Sequence, residues 1–219
     1  MSRQLTLDVT LRDDATFDNY IGAAGNELQQ KFTGPFDWIH VWGYPGTGRS
    51  HLLQACCHRY EASIYLAGLR GHKVDVLDGL ESMNLICIDD IDEILGRADW
   101  EEALFHLMNA VKDQGKRIIL ASERQASALP VRLSDLHSRI ISAASIETAD
   151  LTDEQKLQAL MQRAHIRGFR LGEEVGRFIL SRSSRDMRQL LDLLCRLGLE
   201  TLRQGKTVTI PFVKQILSY

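Results

Sequence analysis

Residues 38–50 read Trp38-Ile39-His40-Val41-Trp42-Gly43-Tyr44-Pro45-Gly46-Thr47-Gly48-Arg49-Ser50, followed directly by His51-Leu52-Leu53-Gln54-Ala55-Cys56-Cys57. The bulky apolar run before Gly43 has the character of a buried strand, and Leu52, Leu53, Cys56 and Cys57 form the stripe of a helix. Between them lies the pattern G-x-x-x-x-G-[K/R]-S. Glycines at 43, 46 and 48 let successive backbone N–H groups converge on phosphate oxygens, the helix start adds its positive dipole end, and Ser50 places a hydroxyl where a Mg²⁺ ion sits. The strand before and the helix after separate this pattern from an ordinary glycine-rich turn. The expected nucleotide contacts are Pro45, Gly46, Thr47, Gly48, Arg49, Ser50 and His51. Arg49 stands where such loops carry lysine; its guanidinium keeps a permanent charge and five donors but is planar and longer than an ammonium. Binding is therefore expected, with weak or absent turnover by this chain alone.

Working outward, further short apolar runs read as buried strands: Ser63–Leu66, Leu85–Ile88, Arg117–Ala121 and a fainter one over 144–148. Leu85-Ile86-Cys87-Ile88 ends in Asp89-Asp90, so Asp89 is a candidate Mg²⁺ ligand, partly through water, and Asp90 a candidate for orienting an attacking water. Helical patterns lie between the strands, including one over 99–112 with Asp99 as its expected N-cap and Leu104, Leu107, Met108 and Val111 as its apolar face. Alternating buried strands and helices predict an α/β parallel sheet covered on both faces.

From Thr152 the pattern becomes purely helical. Thr152 and Gln155 form a capping box, Leu157, Leu160, Met161 and Ala164 give a helical stripe, and Gly168 stops it. Further helices are expected near 173–182 and 186–203, with a short last one in which Pro211 suits the first turn. Charge divides at the same place: residues 1–149 carry 14 basic and 21 acidic side chains, and residues 150–219 carry 12 and 8. The expected organisation is a tail over 1–12, an α/β nucleotide-binding domain over 13–149 and a small all-helical lid over 150–219.

The 219 residues, 44% hydrophobic and 25% charged with a net charge of −3, exclude low-complexity and wholly disordered classes. The sequence contains no apolar run near the roughly 20 residues that cross a bilayer, and the start lacks the pattern of a signal peptide. No membrane association and a cytoplasmic location are expected. The four cysteines lack a C-x-x-C and the seven histidines lack ligand spacing, so neither a disulfide framework nor a transition-metal site is expected.

The phosphate loop, the strand ending in Asp89-Asp90, the strand Arg117-Ile118-Ile119-Leu120-Ala121-Ser122, an arginine within Leu133-Ser134-Asp135-Leu136-His137-Ser138-Arg139, and the lid segment Arg185-Asp186-Met187-Arg188-Gln189-Leu190 together resemble the AAA+ ATPases of the DnaA branch, over residues 13–219. That branch has an AAA+ parallel-sheet domain followed by a helical lid. A chain ending at the lid, without the basic helix-turn-helix domain that gives DnaA sequence-specific DNA binding, is similar to the Hda group of regulators. The resemblance implies an adenine nucleotide, ADP or ATP, with Mg²⁺ as cofactors. It makes Arg139 an arginine finger acting in trans, Arg188 a lid contact to bound phosphates, and Asn19, Tyr20 and Ile21 contacts near the base. Asp90 is one methylene shorter than the glutamate of hydrolysing relatives. Gln4-Leu5-Thr6-Leu7-Asp8-Val9 is similar to the peptide by which Hda relatives bind the DNA polymerase sliding clamp (its beta subunit), with Gln4, Leu5 and Leu7 entering pockets and Asp8 and Val9 departing from the pattern.

The resemblance implies a negative regulator of replication initiation. Bound to nucleotide and to the DNA-loaded clamp, it presents Arg139 to ATP held by DnaA, a contact of the kind that accelerates hydrolysis by about 10³ to 10⁵. A homodimer or oligomer that hid Arg139 would be an inhibited form. Two other readings stay open: an accessory or loader ATPase of the same branch hydrolysing ATP in cis, and a small nucleotide kinase, which explains neither the tail nor the segment around Arg139.

Overall fold

The computed structural model describes residues 15–217, so Gln4, Leu5 and Leu7 lie outside the described residues. The chain divides into two compact units, the first reaching Ala149 and the second starting at Asp150.

The first unit is a five-stranded parallel sheet in the order β2-β3-β4-β1-β5, built from β1 (Trp38–Trp42), β2 (Ser63–Leu66), β3 (Leu85–Ile88), β4 (Arg117–Ser122) and β5 (Ala144–Glu147). All five expected strands are present. Successive side chains leave a strand on opposite faces, and that alternation creates two cores. Ile86, Ile88, Ile118 and Leu120 face one side, with Trp100, Leu104 and Met108 of α3 (Ala98–Asp113) and Leu136 and Ile140 of α4 (Ser134–Ser142). Ile39, Val41, Cys87, Ile119 and Ala121 face the other, with Leu28 of α1 (Ala23–Thr33) and Leu52, Leu53 and Cys56 of α2 (Arg49–Arg59). With helices on both faces, all four residues of β3 are buried, which is why its sequence reads as an unbroken apolar run.

Two local expectations are corrected. No α-helix joins β2 to β3: three single 3₁₀ turns, Leu69–Gly71, Val74–Leu77 and Leu80–Ser82, make the connection, two of them entered through left-handed Gly68 and Gly79. Leu69, Leu77 and Leu80 bury one side chain in each turn, and the left-handed glycines 68 and 79 keep the turns from joining into one helix. In addition, α3 is capped at Arg97, not Asp99, which lies inside the first turn and pairs with Arg97 at 3.2 Å. The Glu101 carboxylate takes the Gly96 N–H at 2.7 Å, anchoring the chain just ahead of the helix.

The second unit is helical: α5 (Asp153–Ile166), α6 (Glu173–Arg182), α7 (Met187–Gln204) and α8 (Ile210–Leu217) around Leu160, Ala164, Ile179, Leu190, Leu194 and Val213. Its caps follow the sequence signals. Thr152 Oγ1 accepts from Gln155 N at 3.2 Å while Thr152 N donates to Gln155 Oε1 at 2.9 Å, and Asp186 accepts from Gln189 N at 3.0 Å. Among the described residues no helix is long and apolar enough to cross a membrane.

Candidate functional site

The loop from Gly43 to Ser50 leaves the end of β1 and turns into α2, and its shape is held by neighbouring strands. Gly43 N donates to Ser122 O at 3.2 Å and Thr148 N to Trp42 O at 2.7 Å. Within the loop, Thr47 Oγ1 donates to Tyr44 O at 2.7 Å and lies 2.6 Å from Thr148 Oγ1. Thr148 Oγ1 also reaches Trp42 O at 3.2 Å, so the two hydroxyls share their protons between two backbone carbonyls and each other. Tyr44, Pro45 and Gly46 at the tip are exposed, while Thr47 and Arg49 are buried.

Glycine is required here by geometry. A Cβ on Gly43 would lie 2.3 Å from Thr148 Oγ1 and 2.4 Å from Thr148 O. Gly48 has φ +97°, and its Cβ would lie 2.8 Å from the Tyr20 ring. The structure thus brings Tyr20 against the loop: its hydroxyl is 3.5 Å from Thr47 O and its ring meets His51 edge-on at 5.4 Å. Burial pushes the Tyr20 hydroxyl up to about 12, so it stays a neutral donor. His51 Nε2 is 2.8 Å from Thr16 O, and Asn19 Oδ1 accepts from Thr16 N at 3.1 Å, closing a local cap. Ile21 is half-buried beside them.

Arg49 occupies the interior of the site. Its Nη2 donates to Asp90 Oδ1 at 2.8 Å, with 7% of the arginine side chain exposed against 42% of the aspartate. Nη1 is buried without a protein partner. Asp90 adopts a left-handed conformation, φ +47° and ψ +50°, and is one of two residues other than glycine that do so among those described. Burial and the Asp89 carboxylate beside it outweigh Arg49 and push the Asp90 carboxyl up to about 6.

Asp89 and Ser50 converge on one hydroxyl. Tyr65 of β2 donates to Asp89 Oδ2 at 2.8 Å, and its oxygen also hydrogen-bonds with the Gln54 and Ser50 side chains. Burial, with Asp89 alongside, pushes the Tyr65 hydroxyl well above its ordinary range. Asp89 Oδ1 takes the Asp90 N–H at 3.0 Å. A carboxylate and a hydroxyl gathered at the end of a phosphate loop are hard oxygen donors, the set that suits Mg²⁺.

Under the loop, on the α3 side of the sheet, His40 Nε2 is 2.6 Å from Ser122 Oγ, which itself donates to Arg124 O at 2.6 Å. The Ser122 proton is therefore committed, Nε2 carries the ring proton, and Nδ1 is left buried without a partner. Burial first, and then the Arg49 charge, lower the His40 pKa to about 4.

Two candidates remain. Arg139, on α4, lays its guanidinium over two rings, 4.4 Å from the centroid of Phe105 and 5.2 Å from that of Trp38. Arg188 is exposed in the first turn of α7, in the second unit, and makes no ion pair among the described residues. Sequence reasoning missed Thr148, His40, Tyr65 and Glu101. A buried histidine inside an apolar strand was a signal for the second; the others gave none.

Residues 153–217 match a family model described as the Hda lid domain, and residues 67–147 match one described as the bacterial DnaA ATPase domain. An uncharacterized protein of Haemophilus influenzae is 36% identical over 236 aligned positions, covering 100% of both chains. Among solved structures, domain III of the Thermotoga maritima replication initiation protein DnaA superposes with a TM-score of 0.81 at 22% identity, covering 95% of this chain and 98% of that one. AMPPCP-bound DnaA from Aquifex aeolicus superposes with a TM-score of 0.66 at 22% identity, covering 89% and 70%.

Proposed function

We propose that this chain, which belongs to the Hda/DnaA-related AAA+ proteins, holds an adenine nucleotide and acts in the cytoplasm on DnaA, accelerating loss of DnaA-bound ATP with Arg139 while tethered to the DNA-loaded sliding clamp through Gln4, Leu5 and Leu7. The observation that carries this reading is the Arg49–Asp90 pair. A site that hydrolyses in cis needs its phosphate-loop cation on the terminal phosphates and its second carboxylate free to orient water. Here the two groups neutralise one another, which suits holding a nucleotide more than turning it over.

The loop amides of Gly46, Gly48, Arg49 and Ser50 and the unpartnered Nη1 of Arg49 are the donors available to phosphate oxygens, the Thr47 N–H being spent on Tyr44 O. Ser50 and Asp89 would hold Mg²⁺, which when bound neutralises charge on the phosphates. Tyr20 closes the side of the loop, with Asn19 and Ile21 next to it, and its position fits a role beside the base. The bound nucleotide, ADP or ATP, sets the geometry of the chain, Arg188 reports its phosphates, and catalysis is exerted on a neighbour. Self-association through the face that carries Arg139 gives an inhibited form.

The test is hydrolysis of ATP preloaded on purified DnaA, with DNA-loaded clamp and either wild type, Arg139→Ala or a chain lacking residues 1–9. Wild type accelerates ATP loss and both variants fail. If wild type leaves DnaA untouched while its own ATP turns over, the accessory ATPase takes the place of this reading.

A further inference from the structure

Glu101 is a carboxylate with 1% of its surface exposed, and no part of the nucleotide site uses it. It sits in the first turns of α3 and spends both oxygens on backbone amides from elsewhere in the chain. Oε1 accepts from Gly96 N at 2.7 Å and Arg132 N at 3.1 Å; Oε2 accepts from Arg132 N at 3.0 Å and Leu133 N at 2.7 Å. Leu133 is the N-cap residue of α4, and its own side chain offers no capping acceptor. Glu101 therefore does for α4 what the third-position Glu of a capping box ordinarily does, accepting the N–H of the N-cap residue, but from a different helix and with the stronger bonds of a charged acceptor.

The same helix meets α4 a second time. Phe105, one turn after Glu101, lies under the Arg139 guanidinium, and the second ring there, Trp38, donates its indole N–H to Met108 O of α3 at 3.4 Å. One end of α4 is thus fixed to α3 by a carboxylate and its arginine by an aromatic face. Buried charges are costly unless fully bonded, and the α3 core around Trp100 and Leu104 needs no carboxylate for packing. What the carboxylate adds is a fixed start and direction for the helix that carries Arg139.

From this geometry we infer that Glu101 and Phe105 are positioning residues for Arg139: Glu101 sets where α4 begins, Phe105 sets the direction of the guanidinium, and neither touches nucleotide. The inference rests on the reading of Arg139 as a finger acting in trans. A transition-state contact of this kind loses about a hundredfold for a displacement of about 1 Å.

The test measures DnaA-bound ATP hydrolysis as a function of the concentration of this chain, with DNA-loaded clamp, below the unfolding midpoint of every variant. The set is wild type, Arg139→Ala, Glu101→Gln and Phe105→Leu. Glutamine keeps the shape but turns a donor toward Leu133 N–H or Gly96 N–H. Arg139→Ala is expected to lose stimulation. Glu101→Gln is expected to lose about ten- to a hundredfold in maximal rate with the half-saturating concentration within about twofold, the signature of an interaction made only in the transition state, and its Arg132 and Leu133 amides exchange faster with solvent. Phe105→Leu moves the maximal rate in the same direction by less, and decides the matter if Glu101→Gln does not fold. Full maximal rates in both, with Arg139→Ala inactive, overturn the inference and leave the functional reading standing. So does a raised half-saturating concentration at unchanged maximal rate. A wild type without effect on DnaA overturns both.

Discussion

The hydroxyl pair between Thr47 and Thr148 gives the most direct test of how the phosphate loop is held. Thr148 is 2% exposed and Thr47 4%, with their Oγ1 atoms 2.6 Å apart. Thr148→Val keeps the branched shape and replaces the hydroxyl by a methyl group. A methyl and an oxygen rest about 3.5 Å apart, so the loop must retreat by close to an ångström, and Thr47 Oγ1 keeps Tyr44 O but loses its hydroxyl partner, while Trp42 O loses the Thr148 hydroxyl. A lost neutral hydrogen bond with a desolvated acceptor costs about 1–3 kcal/mol, and about 2 kcal/mol is expected. The assay is urea unfolding of wild type, Thr148→Val and Thr148→Ser, each with and without ADP. The valine variant should show a lower midpoint at unchanged slope and an ADP affinity weaker by about tenfold, which corresponds to about 1.4 kcal/mol. The serine variant keeps the hydroxyl and should stay within about 1 kcal/mol of wild type. A valine variant with wild-type midpoint and affinity would falsify the assignment, and so would a serine variant as damaged as valine, because the methyl group would then be what matters.

Three further outcomes follow from the geometry. Gly48→Ala must place a side chain at φ +97° and against the Tyr20 ring; a loss of about 1–3 kcal/mol in thermal or urea unfolding is expected, together with loss of ADP binding in a titration. His40 has its folded pKa lowered to about 4 from 6.5, so between those values the unfolded state binds more protons; stability is complete above pH 6.5 and falls as pH drops toward 4. Relative to His40→Gln, wild type should lose up to about 1.4 kcal/mol per pH unit in that window, and a pH-independent difference between the two proteins refutes the buried neutral ring. Asp90, raised from 3.8 to about 6, works in the opposite direction over its own window, which is why the comparison must be with the His40 variant and not the bare wild-type profile. Leu160→Ala, at a fully buried position of the helical unit, should cost about 2–5 kcal/mol, read as an earlier loss of helical signal in urea.

What was legible in the sequence is what depends on neighbours along the chain. The five strands announce themselves because both faces of the sheet are covered, so their apolar runs are continuous. The phosphate loop is legible because its glycines are demanded by local φ values and close approach. The helix α1 was not read: besides the small Ala24 and Gly25, Leu28 is its only buried side chain, so it carries no stripe. The supports of the site escaped for a different reason. Thr47 meets Thr148 across 101 positions, Arg132 meets Glu101 across 31, and Arg49 meets Asp90 across 41. Such pairings are set by the strand order β2-β3-β4-β1-β5, which no local pattern encodes.

The Arg49–Asp90 pair bears on why a phosphate loop would keep arginine in place of lysine. Only the arginine of this pair is buried, since 42% of the Asp90 side chain is exposed; removing Asp90 leaves a buried guanidinium short of a partner, while the pair's net stabilising effect is small because Arg49 has given up its water and Asp90 is screened by solvent. Asp90 also adopts a left-handed backbone, which costs a residue with a Cβ about 1–2 kcal/mol, and it carries a carboxyl whose charge is opposed by burial and by Asp89. Three unfavourable features at one residue are poor grounds for explaining the pair by stability. They fit a group held near a cation that also has to meet phosphate, since the guanidinium can keep Nη2 on Asp90 while Nη1 turns to an anion, and a lysine ammonium, a single point of charge, cannot divide itself in that planar way. On this argument Arg49→Lys releases Asp90 from its partner and moves the site toward turnover, so the proposed non-hydrolysing character of the chain resides in one side chain and is measurable as the cis ATPase rate of that variant against wild type.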